Sequence, residues 1–166
     1  MKIIIKTAIF PGKDFHMTEL ECFKKTIAEV EKAHKLRAKA YAHLYREILA
    51  NTDHLTAEKI FKNAIYRLGQ DKSSVFSKGA KKSARALADD FVKDPVGKAV
   101  FRQKINSSSD DTAEIEMNNC PLVEMWNEMG LPDIDIEKLC SLANQVDFGC
   151  FESLGYKLNF KSRIAD

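Results

Sequence analysis

The chain has 166 residues, 45% of them hydrophobic and 30% charged, enough for one domain with its own core and too few for two ordinary ones. That composition excludes a disordered or collagen-like chain, and no apolar run approaches the roughly 20 residues a membrane span needs. The net charge of +2 conceals a division: residues 1–105 carry 22 Lys and Arg against 12 Asp and Glu, whereas residues 106–166 carry 4 against 12. The basic part lacks the clustered cations and interleaved aromatics that nucleic-acid binding asks for. Its helices are expected instead to pack against the acidic part, or to line a pocket for an anionic ligand.

The opening MKIIIKTAIF breaks its apolar run at Lys6 and has no cleavage site after it, so it reads as a first strand or helical lead-in and not as a secretory leader. A cytoplasmic chain with reduced thiols is expected. Thr18-Glu19-Leu20-Glu21 is a capping box that starts a long helix. From there Leu20, Phe23, Ile27, Val30, His34, Arg37, Tyr41, Leu44 and Ile48 recur at spacings of three and four, a single stripe over about nine turns. The stripe is apolar at both ends and polar in the middle. Either His34 and Arg37 mark where the helix leaves the core and snorkels to water, or His34, Arg37 and Tyr41 line a polar cavity in which Arg37 grips a carboxylate.

A second helix is expected from a cap at Thr56, with Ile60, Phe61, Ala64, Ile65 and Leu68 on one face and Gly69 as its stop. A third runs from about Ser73, with Val75, Phe76, Ala80, Ser83, Leu87 and Phe91 inward, until Asp94-Pro95 breaks it. Periodicity does not decide between helix and strand for residues 96–105. NSSSDD at 106–111 is a loop by composition, and Ala113, Ile115 and Met117 then alternate with polar residues as a half-buried strand does. The fold class is therefore α+β: about three amphipathic helices over residues 1–105, packed on a small antiparallel sheet with short helices over residues 106–166, all in one domain.

Cys120-Pro121 follows the strand, and Pro121 suits the first position of a helix. Cys120 then stands at the N-cap, where the positive helix end and unpaired amides favour a thiolate. Leu122, Val123, Met125 and Trp126 make that helix amphipathic, Gly130-Leu131-Pro132 ends it, and a further helix capped by Asp133 or Asp135 carries Cys140. For each thiol the alternative is plain core filling. The cysteines at 22, 120, 140 and 150 form no CxxC pair, and all four histidines lie in the first third of the chain. No metal or other cofactor is expected.

A strand ending in Cys-Pro, a short helix ending in Met-Gly-Leu, a later Leu-Cys, and a Phe-rich turn into LGYKLNFKSRIAD resemble the L-2-amino-thiazoline-4-carboxylic acid hydrolase family over roughly residues 113–166. The resemblance implies a bacterial enzyme that opens the cyclic amidine of 2-amino-thiazoline-4-carboxylate to N-carbamoyl-L-cysteine. A nucleophile must attack the amidine carbon, and the sulfur must leave with a proton. The family's cysteine positions carry onto Cys120 and Cys140. Asp147 is the candidate acid/base, and His34, Arg37, Tyr41 and Trp126 are candidates for binding a small carboxylate substrate. In the family a glycine-rich turn and a further strand follow, whereas this chain ends at Ile164-Ala165-Asp166. Without that strand, an exposed sheet edge is expected that a second copy would cover, or else a shortened member that binds a small carboxylate without turning it over.

Overall fold

The computed structural model describes residues 18–76 and 78–165. The expected strand or lead-in at residues 1–10 lies outside them. The fold is α+β, with seven α-helices and a two-stranded antiparallel sheet among the described residues. None of those helices is long and apolar enough to cross a membrane.

Helix α1, Glu19–Asn51, begins at the capping box: Thr18 Oγ1 accepts from the Glu21 amide at 3.2 Å, and the Glu21 carboxylate accepts from the Thr18 amide at 2.8 Å. Its buried residues are Ala38, Tyr41, Ala42 and Tyr45. The apolar ends of the expected stripe meet the core only at Ile48, which packs on it half-buried, since Leu20 is 61% and Leu44 56% exposed. Its polar middle is the part that meets the body. Small and aromatic side chains fill the core there, where α5 packs on α1, while Leu36 and Leu44 face water.

Helix α2, His54–Lys72, is capped by Asp53, whose carboxylate accepts from the Thr56 amide at 3.0 Å. Thr56 is thus the capped residue and not the cap. Nor does Gly69 end the helix. It is buried inside it, where a Cβ would stand 2.1 Å from the Val146 carbonyl oxygen of α7, Gln145–Ser153. Gly149 of α7 is the reciprocal case, its missing Cβ 2.0 Å from the Tyr66 carbonyl oxygen. Two glycines therefore let α2 and α7 cross backbone to backbone, and Phe61 and Ile65 face the core while Ile60 and Ala64 do not.

The expected third helix is instead two 3-10 turns, Ser73–Val75 and Lys78–Lys81, followed by α3, Ala84–Val92, which Ser83 caps by accepting from the Ala86 amide. Gly79 and the serines at 73, 74 and 83 give an α-helix too little propensity to continue. Asp94 then caps α4, Pro95–Phe101, with Pro95 in the first turn. Strand β1, Gln103–Ser108, pairs antiparallel with β2, Ala113–Met117, in the register Gln103↔Met117 and Ile105↔Ile115. The composition loop is shorter than expected, because Asn106, Ser107 and Ser108 belong to β1.

Helix α5, Pro121–Glu128, has Cys120 at its N-cap, as its Cys-Pro start implies. Helix α6, Asp133–Ala143, is preceded by Pro132, so Asp133 and Asp135 lie in its first turn and do not cap it. Residues 145–153, expected as a turn into a strand, form α7, and residues 155–165 form no strand. The helix propensity of QVDFGCFES is poor, and packing on α2 overrides it. The main core joins α1, α2, α5 and α6 around Trp126, which is fully buried and donates from Nε1 to the Ala38 carbonyl at 2.9 Å. A smaller cluster of Phe76, Leu87, Phe91, Phe151 and Leu154 lies under α3. Part of the charge division is spent between the two parts of the chain, Lys35 pairing with Glu124 and Glu128.

Candidate active site

The polar middle of α1, the end of α2, the start of α5 and the first turns of α7 converge. His34, Arg37 and Tyr41 share one face of α1 by their spacing. Lys72 closes α2, Cys120 opens α5, and Asp147 and Cys150 lie one turn apart on α7. The Arg37 charge acts on His34, Tyr41, Cys120 and Asp147, and the Lys72 charge acts on His34, Asp147 and Cys150.

Arg37 is the centre of the group. Its Nε is buried without a hydrogen-bond partner, and so is the Tyr41 hydroxyl. The guanidinium carbon lies 5.7 Å from the centroid of the Tyr41 ring, and Arg37 forms no ion pair among the described residues. A buried donor left unmade costs on the order of 1–3 kcal/mol.

Around it the titratable groups are displaced from their ordinary values. Burial pushes Asp147 up to about 6, although Lys72 and Arg37 pull it down. His34 falls to about 4, through burial first and then through Arg37 and Lys72; its ring meets that of Phe101 edge-on at 4.9 Å. Tyr41 is raised by burial. Cys120 is raised too, which corrects the expected thiolate. Loss of water outweighs the backbone groups of Val123 and Leu122 and the Arg37 charge, all of which favour the anion, while Asp147 opposes it. The sulfur makes no full capping hydrogen bond, so the helix start does not supply what an exposed thiolate would need.

The structure thus brings together five of the seven expected site residues: His34, Arg37, Tyr41, Cys120 and Asp147. The other two, Cys140 and Trp126, stand in the main hydrophobic core, to which Tyr41 also belongs; Tyr41 joins the group because the Arg37 and Asp147 charges act on it, and the Trp126 N–H is already engaged with Ala38. Lys72 and Cys150 join the group without having been singled out for it. Lys72 was hidden by the expectation that α2 stops at Gly69, and Cys150 by reading α7 as a turn.

The two strongest displacements act on stability with opposite signs. A histidine whose folded pKa lies below 6.5 stabilises the fold above 6.5, and that contribution is lost as pH falls toward 4. An aspartate raised from 3.8 to about 6 stabilises the fold at low pH, and that contribution is lost as pH rises through 6. The windows overlap and offset each other. Asp147→Asn, which leaves the His34 term alone, should therefore lose about 2 kcal/mol more stability than the wild type between pH 7 and pH 4. Urea midpoints at the two pH values measure this, and parallel behaviour of the two proteins would contradict the raised pKa of Asp147.

A family model described as L-2-amino-thiazoline-4-carboxylic acid hydrolase matches residues 33–166. That range holds every residue of the converging group and begins one position before His34. No curated protein and no solved structure matches the chain.

Proposed function

We propose, since this chain belongs to the L-2-amino-thiazoline-4-carboxylic acid hydrolase family, that it opens 2-amino-thiazoline-4-carboxylate, or a closely related cyclic amidine, to N-carbamoyl-cysteine. The observation that carries the reading is Arg37, whose Nε is unpartnered and whose charge acts on both Cys120 and Asp147. A guanidinium offers two parallel donors to a carboxylate. A substrate held by its carboxylate there leaves its amidine carbon among the groups that act on the same charge.

In the reaction Cys120 Sγ attacks the amidine carbon, and its proton passes to the Asp147 carboxylate. The ring carbon–sulfur bond then breaks, and the leaving sulfur takes the proton from Asp147. Water attacks the resulting Cys120-linked carbon while Asp147 accepts a proton, and the Cys120 sulfur departs as the thiol with that proton. The net change is addition of one water and opening of the ring. An aspartate titrating at about 6 suits both directions of transfer near neutral pH. His34, neutral down to about pH 4, and Tyr41 complete a wall that adds no competing charge.

The test is turnover by the purified chain, with N-carbamoyl-cysteine quantified. A substrate lacking the carboxylate should show kcat/KM lower by about 10- to 100-fold, the worth of a charge-assisted hydrogen bond. No turnover of any cyclic amidine overturns the reading. A second reading, a module that binds a small carboxylate without chemistry, is favoured by the raised pKa of the Cys120 thiol. It predicts that the thiazoline raises the melting temperature and emerges unchanged.

A further inference from the structure

One charged side chain at this site has no task in the reaction. Lys72 ends α2 one turn beyond Gly69, on the same face of the helix. At Gly69 that face meets the first turns of α7 backbone to backbone, for a Cβ there would stand 2.1 Å from the Val146 oxygen and 2.9 Å from the Cys150 nitrogen. Asp147 follows Val146 directly and shares a face of α7 with Cys150. The glycine crossing therefore brings the Lys72 end of α2 to the turn of α7 that carries Asp147. Burial raises the Asp147 carboxyl, and of the two cations that pull it back Lys72 acts more strongly than Arg37. Lys72 is exposed and forms no ion pair among the described residues.

The titratable and charged groups that interact with Asp147 are Arg37 and Tyr41 from α1, Lys72 from α2, Cys120 from α5 and Cys150 from α7. Two of the five are cations, and the proposed reaction commits one of them. Once Arg37 holds the carboxylate of the substrate, its charge is balanced by that anion and does less for Asp147. Lys72 is then the cation left facing the aspartate at the moment it must accept the Cys120 proton.

Resting on the hydrolase reading, we infer that Lys72 is a positioning residue whose ammonium keeps Asp147 in its ionised, proton-accepting form while Arg37 is occupied by substrate. Arg37 and Lys72 thereby divide the work, one serving the substrate and the other the base. The effect passes through Asp147 alone, so it belongs to the charge at position 72 and not to the shape of the lysine.

Two measurements on the full chain test this: the pH profile of kcat for the thiazoline, which reports groups in the substrate complex, and carboxyl-carbon NMR titration of Asp147, its resonance identified by its loss in Asp147→Asn. Lys72→Met should lose about three- to tenfold in kcat near pH 5.5 and less than about twofold near pH 8, with the Asp147 midpoint moved upward. Lys72→Arg, which keeps the charge, should match the wild type in both. Raising salt from about 0.05 to 0.5 M should move the wild-type midpoint the same way, since an exposed charge is screened; this measurement stands even if Lys72→Met does not fold. An Asp147 midpoint that neither the substitution nor salt moves overturns the role of Lys72, whatever the turnover. A loss in Lys72→Met that is equal at every pH, with the midpoint unmoved, overturns it too and makes Lys72 a substrate contact. A midpoint that moves in a wild type and variant with no turnover of any cyclic amidine overturns the hydrolase reading, and the catalytic task of Lys72 with it.

Discussion

Cys120→Ala should lower turnover of the thiazoline at least about a thousandfold, the usual scale for removing a covalent nucleophile, while the chain stays folded. The thiol makes no capping hydrogen bond, so the first turn of α5 loses little by its removal, and Pro121 and the buried Leu122 and Val123 still fix the helix start. Cys120→Ser should be almost as inactive, because a hydroxyl is the weaker nucleophile and Asp147 is a weak base for it. Since burial raises the thiol pKa, alkylation of the resting protein at Cys120 by iodoacetamide at pH 7 should be slow. Full activity in Cys120→Ala would transfer the attack to water activated by Asp147. Rapid alkylation would contradict the buried setting of the sulfur.

Gly149→Ala should cost at least about 3 kcal/mol, at or beyond the upper end of ordinary overpacking, and Gly69→Ala should do the same. A Cβ at Gly149 would stand 2.0 Å from the Tyr66 carbonyl oxygen and 2.9 Å from its carbon, and one at Gly69 2.1 Å from the Val146 oxygen. These are backbone atoms of hydrogen-bonded helices and cannot turn aside. The two helices must separate, and with them Lys72 moves from Asp147 and Cys150, so activity should fall alongside stability. Gly97→Ala is the control: there the nearest atom, at 2.9 Å, belongs to the Asp94 side chain, which can shift at the expense of its cap. Equal melting temperatures for Gly149→Ala and the wild type would refute the close crossing.

Much of this molecule was legible in its sequence wherever structure is decided within a few residues. The Thr18–Glu21 capping box, the Cys120-Pro121 start of α5, the Gly130-Leu131-Pro132 stop and the alternation through Ala113–Met117 are all local arrangements. The polar break at His34, Arg37 and Tyr41 was visible as a fault in an apolar stripe, and the structure makes that break the part of α1 nearest the other site groups. Whether it faced water or a cavity could not be read, because periodicity gives a face and not what the face meets.

Several of the site features that only the tertiary structure decided come from the packing of α7 on α2. Residues 145–153 have weak helix propensity, and Gly69 looks like a stop signal. Both readings reverse once two backbones approach so closely that only glycine fits between them. That contact carries Lys72, Asp147 and Cys150 to the group around Arg37, and it buries Asp147 enough to raise its pKa to about 6. The thiol at the start of α5, which local rules would make acidic, is raised by its burial against the main core. A helix end is a local feature, whereas the loss of water around Cys120 belongs to the whole fold. The sequence by itself determined which residues could do chemistry, and the packing of α7 on α2 and of α5 on α1 determined which of them meet.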